Sequence, residues 1–105
     1  MPDFSKMLQQ AQAMQSRVEQ MQEDLRLKTV TGSAGAGMVT VDADGKGQVT
    51  RVKIDRSVVD PDDIASLEDL VVVAVNDAQN KAADLAKIEM GRLTGGLDLP
   101  FKLPF

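Results

Sequence analysis

One uninterrupted apolar pattern, from Phe4 to Leu25, constrains this chain more than any other stretch. Apolar residues recur there at alternating gaps of three and four positions, at Phe4, Met7, Ala11, Met14, Val18, Met21 and Leu25. This is the spacing of a helix that packs along its whole length against another helix or a second chain. At about 1.5 Å per residue the helix is roughly 33 Å long, which is out of proportion to a chain of 105 residues.

The composition limits the classes of protein to which the chain can belong. A length of 105 residues predicts a single domain over 1–105, and we expect a second copy to cover the apolar seam of the long helix. The sequence contains no cysteine, which excludes a disulfide framework. No apolar run approaches about 18 residues and no signal-peptide pattern is present, so we expect a cytoplasmic protein that does not associate with membranes.

The first half of the chain predicts one helix and one sheet. The helix is predicted over residues 3–27, with Asp3 as its N-cap. A three-stranded antiparallel meander is predicted over residues 28–56, because apolar and polar residues alternate there between glycine-rich turns. Its apolar face, which a helix must cover, contains Val39, Val41, Val52 and Ile54. Its turns contain Gly32, Gly35 and Gly37, then Asp44, Gly45, Lys46 and Gly47.

A second long helix is predicted from the acidic segment 60–63 to about Leu93. Asp60 is the expected N-cap, a short turn precedes the main helix, and Gly95-Gly96 is the expected stop. The apolar run 70–75 is assigned to this helix because a helical period continues beyond it, and we expect it to be buried between the sheet and a partner. The tail, residues 97–105, is predicted to be irregular and partly ordered. Together the elements define an α+β fold of the order α-β-β-β-α.

Residues suited to catalysis or metal binding are scarce. The chain has no histidine, cysteine, tyrosine or tryptophan, which excludes a Ser-His triad and argues against structural zinc. A Ser-Lys arrangement stays open. The glycines at 32, 35 and 37 are not followed by the Lys-Ser/Thr of a phosphate loop, and Lys46 and Lys53 stand where a calcium loop needs acids. We therefore expect no enzyme activity, no cofactor and no metal.

The distribution of charge is more informative than the net charge of -4. Residues 60–80 contain six acids and no base, so the rest of the chain is slightly basic, and residues 4–18 contain two bases and no acid. If the long helices pack antiparallel, with the N-terminal half of the first beside the C-terminal half of the second, cations meet at one end. These are Lys6, Arg17, Lys81, Lys87 and Arg92. Ordinary solvated charges explain the same residues, and the acidic total favours that explanation.

A series of short motifs extends along nearly the whole chain. In order they are Gln10-Ala11-Gln12-Ala13-Met14-Gln15, Val30-Thr31-Gly32, Gly35-Ala36-Gly37, Val52-x-Ile54-Asp55, Leu67-Glu68-Asp69-Leu70-Val71, Asn76-Asp77-Ala78, Leu99-Pro100 and Pro104-Phe105. Each motif alone is a weak signal, but their order and spacing along the chain together form a specific pattern. In both respects the chain resembles the YbaB/EbfC family of small bacterial nucleoid-associated DNA-binding proteins.

The resemblance implies an intertwined, tweezer-like homodimer whose long helices project from a shared sheet. It also implies low-specificity binding of double-stranded DNA in the nucleoid, effects on nucleoid organisation and gene expression, and no catalysis. We expect the DNA contacts to come from residues on the two helices, namely Lys6, Gln10, Arg17, Lys81, Lys87 and Arg92. Two other functions stay open: an adaptor for a DNA-repair or replication partner, with segment 60–80 as its docking surface, and a small-molecule module in the dimer cleft.

Overall fold

The computed structural model describes residues 4–93 and confirms the predicted α-β-β-β-α order. Its elements are α1 (Phe4–Leu27), β1 (Thr29–Ala34), β2 (Val39–Asp44), β3 (Val49–Ile54), a short 3-10 turn (Arg56–Val58) and α2 (Ile64–Leu93). The predicted cap at Asp3, the stop at Gly95-Gly96 and the tail 97–105 lie outside the described residues. The tweezer-like homodimer stays a prediction.

The three strands form one antiparallel sheet in the order β1-β2-β3. Val41, in the middle strand, lies opposite Gly32 of β1 and Val52 of β3. Residues directly opposite each other in an antiparallel pair point to the same face, so Val52 shares the apolar face with Val41, as predicted. A bulge after Asp42 leaves Thr50 as the extra residue of β3.

The glycine cluster after α1 divides between a strand and a turn. Gly32 lies inside β1, so the prediction that it belongs to the connection is wrong. A methyl group at this position would overlap backbone atoms of Ala74 and Ala78 in α2, which explains why a residue without a side chain stands there. Gly35 and Gly37 do form the β1–β2 turn, where their φ angles are 61° and 86°.

The core lies between α2 and the apolar face of β1 and β2. Val39, Val41 and Ala43 are fully buried there, together with Ala74 and Ala78 of α2. Short alanine side chains let the helix approach the strands closely, and the buried valines fill the remaining space. The helix assignment of segment 70–75 is thereby confirmed, with one of its faces packed on the sheet.

α2 does not cover the whole apolar face. Val52 and Ile54 of β3 point to the covered side but remain 44% and 39% exposed. On α2, Val72 and Val73 are 57% and 55% exposed. The predicted second covering of this helix is therefore absent within the described chain, and β3 and one side of α2 present apolar side chains to solvent.

α2 begins later than the sequence predicted. The N-cap is Asp63, whose carboxylate accepts hydrogen bonds from the backbone N–H and the hydroxyl of Ser66 at 3.3 and 2.7 Å. Asp60, the predicted cap, instead accepts from the backbone N–H of Asp62 at 2.9 Å. This interaction belongs to the short turn that was expected before the helix.

Only the C-terminal half of α1 packs on α2. Met21 and Leu25 line one cavity with Ala82, Ala86 and Met90, and Arg17 lines the neighbouring hollow with Arg92 and Leu93, so α1 runs back along α2 in the antiparallel sense. The prediction that the N-terminal half of α1 lies beside the C-terminal half of α2 is wrong. A single residue joins α1 to β1, which holds the last turn of α1 at the sheet, halfway along α2.

The first turns of α1 consequently extend beyond the packed part of the molecule. We call residues 4–16 the arm; all of them are exposed. The molecule measures 74 Å along its longest axis and 25 and 17 Å across. The arm gives the fold a surface that has no contact with the core.

Candidate nucleic-acid interface

The predicted site residues occupy three different environments. Lys6 and Gln10 lie on the arm, Arg17 lies where α1 meets the end of α2, and Lys81 lies beside β1. Lys87 lies in a cavity between the helices, and Arg92 forms an ion pair within α2. The structure therefore brings Arg17 and Arg92 together, and it separates Lys6 and Lys81 from them.

Lys6, Gln10 and Arg17 share one face of α1. Steps of four and seven residues, at about 100° per residue, place the three side chains within about 40° of one another. The apolar seam, which includes Met7 and Met14, lies roughly a quarter turn away around the helix. Lys6 and Arg17 are about 16 Å apart along the axis. The first half of α1, residues 4–17, thus carries a polar, cationic stripe beside its apolar stripe.

Pairing with carboxylates divides the cations of the helices into two groups. Arg26 pairs with Glu23, Lys81 contacts Asp77 at 3.3 Å, and Arg92 contacts Glu89 at 3.1 Å, as does Lys28 in the link after α1. Within residues 4–93, the cations of the two helices that have no side-chain hydrogen bond and no ion pair are Lys6, Arg17 and Lys87. A cation without a carboxylate partner can bind an external anion without first breaking an internal contact.

Lys81 is held against the free edge of β1. Its ammonium group donates a hydrogen bond to the carbonyl oxygen of Thr31 at 2.9 Å. Asp77, one turn earlier in α2, accepts a hydrogen bond from the backbone N–H of Ser33 at 2.9 Å. The two side chains thus satisfy outward-facing backbone groups of an edge strand, which would otherwise be open to pairing with another strand.

The environment of Asp77 favours its ionised form. The backbone N–H of Ser33, followed by the ammonium group of Lys81, holds the pKa of the Asp77 carboxyl below its ordinary value. Folding therefore shifts the protonation equilibrium of this acid, which makes the contact between α2 and β1 sensitive to low pH.

The Asp77→Asn variant is expected to be less stable than the native chain at about pH 7, by an amount that shrinks in acid. An acid whose pKa is lowered by folding stabilises the folded state above its unfolded pKa of about 3.9, and the contribution is lost as the pH falls through the folded value. Urea unfolding at about pH 7 and about pH 3 measures the difference, with Asp84→Asn as the control at the higher pH. A difference between Asp77→Asn and the native chain that is independent of pH would contradict the assignment.

A cavity of about 420 Å³ lies between the C-terminal halves of the helices and the β2–β3 turn. We call it the helix groove. Its apolar lining consists of Met21, Leu25, Ala82, Ala83, Ala86 and Met90, and Lys46 and Lys87 lie among its polar residues. Lys46 was not among the predicted site residues because Asp44-Gly45-Lys46-Gly47 was interpreted only as a turn. That interpretation is correct, since Asp44 accepts a hydrogen bond from the backbone N–H of Lys46 at 2.9 Å, but the turn also brings this cation to the groove.

The acidic residues lie near the opposite end of α2. Asp60, Asp62, Asp63, Glu68 and Asp69 surround its start and are exposed. From Ile64 to Lys87 the helix rises about 35 Å, several times the Debye length at physiological salt, so these acids do not neutralise the cations at the other end. The net negative charge of the chain therefore does not describe the region around the arm.

Two other kinds of site find no support in the part of the chain that the structure describes. No group of three or more His, Cys, Asp or Glu side chains is arranged to hold a metal ion among residues 4–93. Neither long helix of that region combines the length and the apolar character needed to cross a membrane.

Comparison with known proteins provides a family match and close relatives. A family model described as the YbaB/EbfC DNA-binding family matches residues 1–97. A nucleoid-associated protein of Gemmatimonas aurantiaca is 55% identical over 103 residues, which cover 98% of this chain and 99% of the relative. A nucleoid-associated protein of Rhodospirillum rubrum is 47% identical over 107 aligned positions, which cover both chains completely.

The fold is also found in a solved structure. The crystal structure of an uncharacterized protein from Helicobacter pylori aligns with a TM-score of 0.79 and 24% sequence identity, over 90% of this chain and 100% of that chain. This similarity shows a shared fold. The family match and the relatives go further: the chain belongs to the YbaB/EbfC DNA-binding family.

Proposed function

We propose that this protein is a non-enzymatic, nucleoid-associated protein that binds double-stranded DNA as a homodimer with low sequence specificity. The observation that carries the proposal is the arm, a projecting helical segment that contains no acid. Lys6 and Gln10 lie on it, and Arg17, which follows it directly, lies on the same face of α1. The family assignment and the names of the relatives support DNA as the ligand. Binding of this kind would affect nucleoid organisation and gene expression.

Phosphate contacts are the main source of affinity in this proposal. Lys6, Arg17 and Lys87 have no carboxylate partner within residues 4–93, and Lys46 adds a further cation at the helix groove. Each phosphate that they neutralise releases condensed counterions, which makes the affinity depend steeply on salt. Phosphates carry no base information, so contacts of this kind position the protein without selecting a sequence.

In this proposal, the contacts that Gln10, Lys81 and Arg92 make with DNA contribute less to the affinity. Gln10 can donate or accept a hydrogen bond on the cationic face of the arm without repelling DNA. Lys81 must give up its contact with the Thr31 carbonyl to reach a phosphate, and Arg92 must leave Glu89. We therefore place the principal contacts on Lys6, Arg17 and Lys87, and rank Lys81 and Arg92 below them.

The dimer is supported by the apolar surface that a single chain leaves uncovered. Val52 and Ile54 on β3, and Val72 and Val73 on α2, are between 39% and 57% exposed. Large apolar side chains that are exposed on both β3 and α2 favour a partner surface that covers them. A second copy would cover this surface and present two arms, as the tweezer-like shape requires.

The Val52→Asp variant is expected to be monomeric at micromolar concentration while the native chain is dimeric. A carboxylate at this position would have to lose its hydration in the subunit contact, which costs several kcal/mol. Sedimentation velocity measures the mass of both proteins. The matched control is Lys53→Asp, the next residue of the same strand, which points to the opposite face and is expected to leave the dimer intact. A native chain that sediments as a monomer would contradict the proposed dimer.

Titration of duplex DNA at several salt concentrations tests the DNA proposal itself. Binding that weakens steeply with salt supports it. A stable dimer that binds no duplex even at low salt would overturn it and favour the adaptor function, in which the acidic segment 60–80 contacts a repair or replication protein.

A further inference from the structure

Packing between the two helices leaves the direction of the arm undetermined. Among residues 4–27 Leu25 alone is buried, and the helix groove of about 420 Å³ lies between α1 and α2. Lys6 is about 28 Å from Leu25 along the helix axis, so a tilt of about 10° at the base of the arm moves it by about 5 Å. Successive phosphates of one DNA strand are about 3.4 Å apart along the duplex axis, so this movement exceeds one phosphate step.

The last turn of α1 is in contact with the β2–β3 turn, residues 44–48. The backbone N–H of Gly45 donates a hydrogen bond to the carbonyl oxygen of Leu25 at 2.8 Å, and the same oxygen accepts from the backbone N–H of Lys28 at 3.1 Å. Carbonyl groups in the last turn of a helix have no partner within the helix and need one outside it. The contact therefore joins the helix that carries the arm to the sheet.

This contact, and not the conformation of the turn, explains why residue 45 is a glycine. A methyl group at Gly45 would lie 2.5 Å from the carbonyl oxygen of Leu25 and 3.1 Å from the carbonyl carbon and Cα of the same residue. The φ angle of Gly45 lies outside the left-handed region, whereas that of Gly47 is 88°. The obstacle to a side chain at residue 45 is therefore the end of α1.

The same turn is also attached to α2. The buried carboxylate of Asp44 accepts hydrogen bonds from the backbone N–H groups of Lys46 and Gln48, at 2.9 and 3.0 Å, and so determines the shape of the turn. The side-chain amide of Gln79 in α2 donates a hydrogen bond to the carbonyl oxygen of Gly47 at 3.1 Å. The turn thus connects α1 to α2 at the edge of the helix groove.

We propose that the β2–β3 turn sets the direction of the arm, with Gly45 and Gln79 as its positioning residues. Gly45 determines how closely the turn approaches the end of α1, and Gln79 fixes the turn to α2. These contacts act in the free protein and need no DNA. Their effect on affinity rests on the proposed function: an arm that already has one direction loses less conformational freedom when it binds.

Distances between two spin labels on one chain measure the direction of the arm without DNA. Gln12→Cys on the arm and Lys53→Cys on β3 are exposed sites, and the sequence has no other cysteine. Assembly with an excess of unlabelled chains restricts the measurement to distances within one chain. We expect one narrow distance distribution in the labelled chain and a shifted maximum when Gly45→Ala is added. A folded Gly45→Ala chain that keeps the original distribution would overturn the proposal.

Gln79→Met tests the same contact without adding an atom beside a backbone, and it decides the question if Gly45→Ala does not fold. Methionine resembles glutamine in length and helix propensity but cannot donate a hydrogen bond to Gly47. We expect a broader distance distribution. The matched control is Gln20→Met, which removes a hydrogen bond within α1, to Asp24 at 3.0 Å, and should keep the original distribution. No broadening in the Gln79→Met chain, or equal broadening in both variants, would overturn the proposal.

DNA affinity shows whether the direction of the arm matters for binding. Gln79→Met is expected to lower the affinity for duplex DNA about three- to tenfold, the equivalent of one lost hydrogen bond, with an unchanged salt slope because every cation is retained. Gln20→Met should bind like the native chain. Unchanged affinity or a shallower slope in the Gln79→Met chain would overturn the positioning role. If the native protein binds no duplex, the proposed function fails, and the distance measurements still decide whether the turn directs the arm.

Discussion

Replacement of Gly32 by alanine is expected to destabilise the fold by about 3 kcal/mol, as overpacking against backbone does at its upper range. The added methyl group would overlap the backbone nitrogen of Ala78 and the carbonyl oxygen of Ala74. Backbone atoms of a helix cannot rotate away as a side chain can, so α2 would have to move off β1. That movement would open the contact in which Val39 and Val41 are buried.

A matched glycine on α2 provides the control for this prediction. A methyl group at Gly91 meets no atom within 4 Å among the described residues, so Gly91→Ala is expected to stabilise the helix by about 1 kcal/mol through its intrinsic propensity. Urea unfolding at one fixed protein concentration compares both variants with the native chain, since the stability of a dimer depends on concentration. Equal effects of the two substitutions would contradict the close approach of α2 to Gly32.

Replacing Lys6, Arg17 and Lys87 together by glutamine is expected to weaken DNA binding and to flatten its salt dependence. The slope of log affinity against log salt changes by about 0.9 for each phosphate that is no longer neutralised, so a dimer without these six cations should have a slope shallower by about 5. Glutamine retains much of the length and the hydrogen-bonding capacity of the side chains, which leaves charge as the main difference. Fluorescence anisotropy with a labelled duplex measures both the affinity and its salt dependence.

The sheet provides a control with the same change of charge. Arg51, Lys53 and Arg56 also have no ion pair within residues 4–93, but they lie on β3 and the following turn, away from the arm. Their joint replacement by glutamine should change the salt slope much less. If both triple variants reduce the slope equally, net charge and not the arm would determine binding.

The fold could be predicted from the sequence because its main signals are local. The seam from Phe4 to Leu25 has a helical period, the valines of β2 and β3 alternate, and both patterns are visible without knowledge of any long-range contact. Gly32 is a position whose structural role local sequence patterns do not determine. A glycine in a turn and a glycine beneath a helix look the same in a sequence, and only the position of α2 distinguishes them.

The candidate site was less predictable because it depends on which charges meet. The seven-residue step from Gln10 to Arg17 is visible in the sequence, but the hydrogen bond from Lys81 to Thr31, 50 positions away, is not. Antiparallel packing of the two helices was only a condition of the charge argument, and the relative shift inferred from it was wrong, because the one-residue link between α1 and β1 determines that shift. Because of that shift, the arm extends beyond the packed part of the molecule, and Lys6 is separated from the end of α2.

The seam on α1 is consequently divided between two roles. Leu25 is buried against the sheet and α2, and Val18 and Met21 are half-buried, whereas Phe4, Met7 and Met14 are exposed on the arm. A uniform apolar period had predicted packing along the whole helix. In a single chain only the C-terminal half is packed, so the exposed part is available to a second copy or a ligand.

The affinity of the native protein for two duplexes of unrelated sequence, measured at several salt concentrations, shows whether the arms of a dimer hold duplex DNA through its phosphates. We expect log affinity to fall linearly with log salt, with a slope of about -5 or steeper and nearly the same for both duplexes. No binding at low salt, or an affinity that does not change with salt, would contradict this mode of binding.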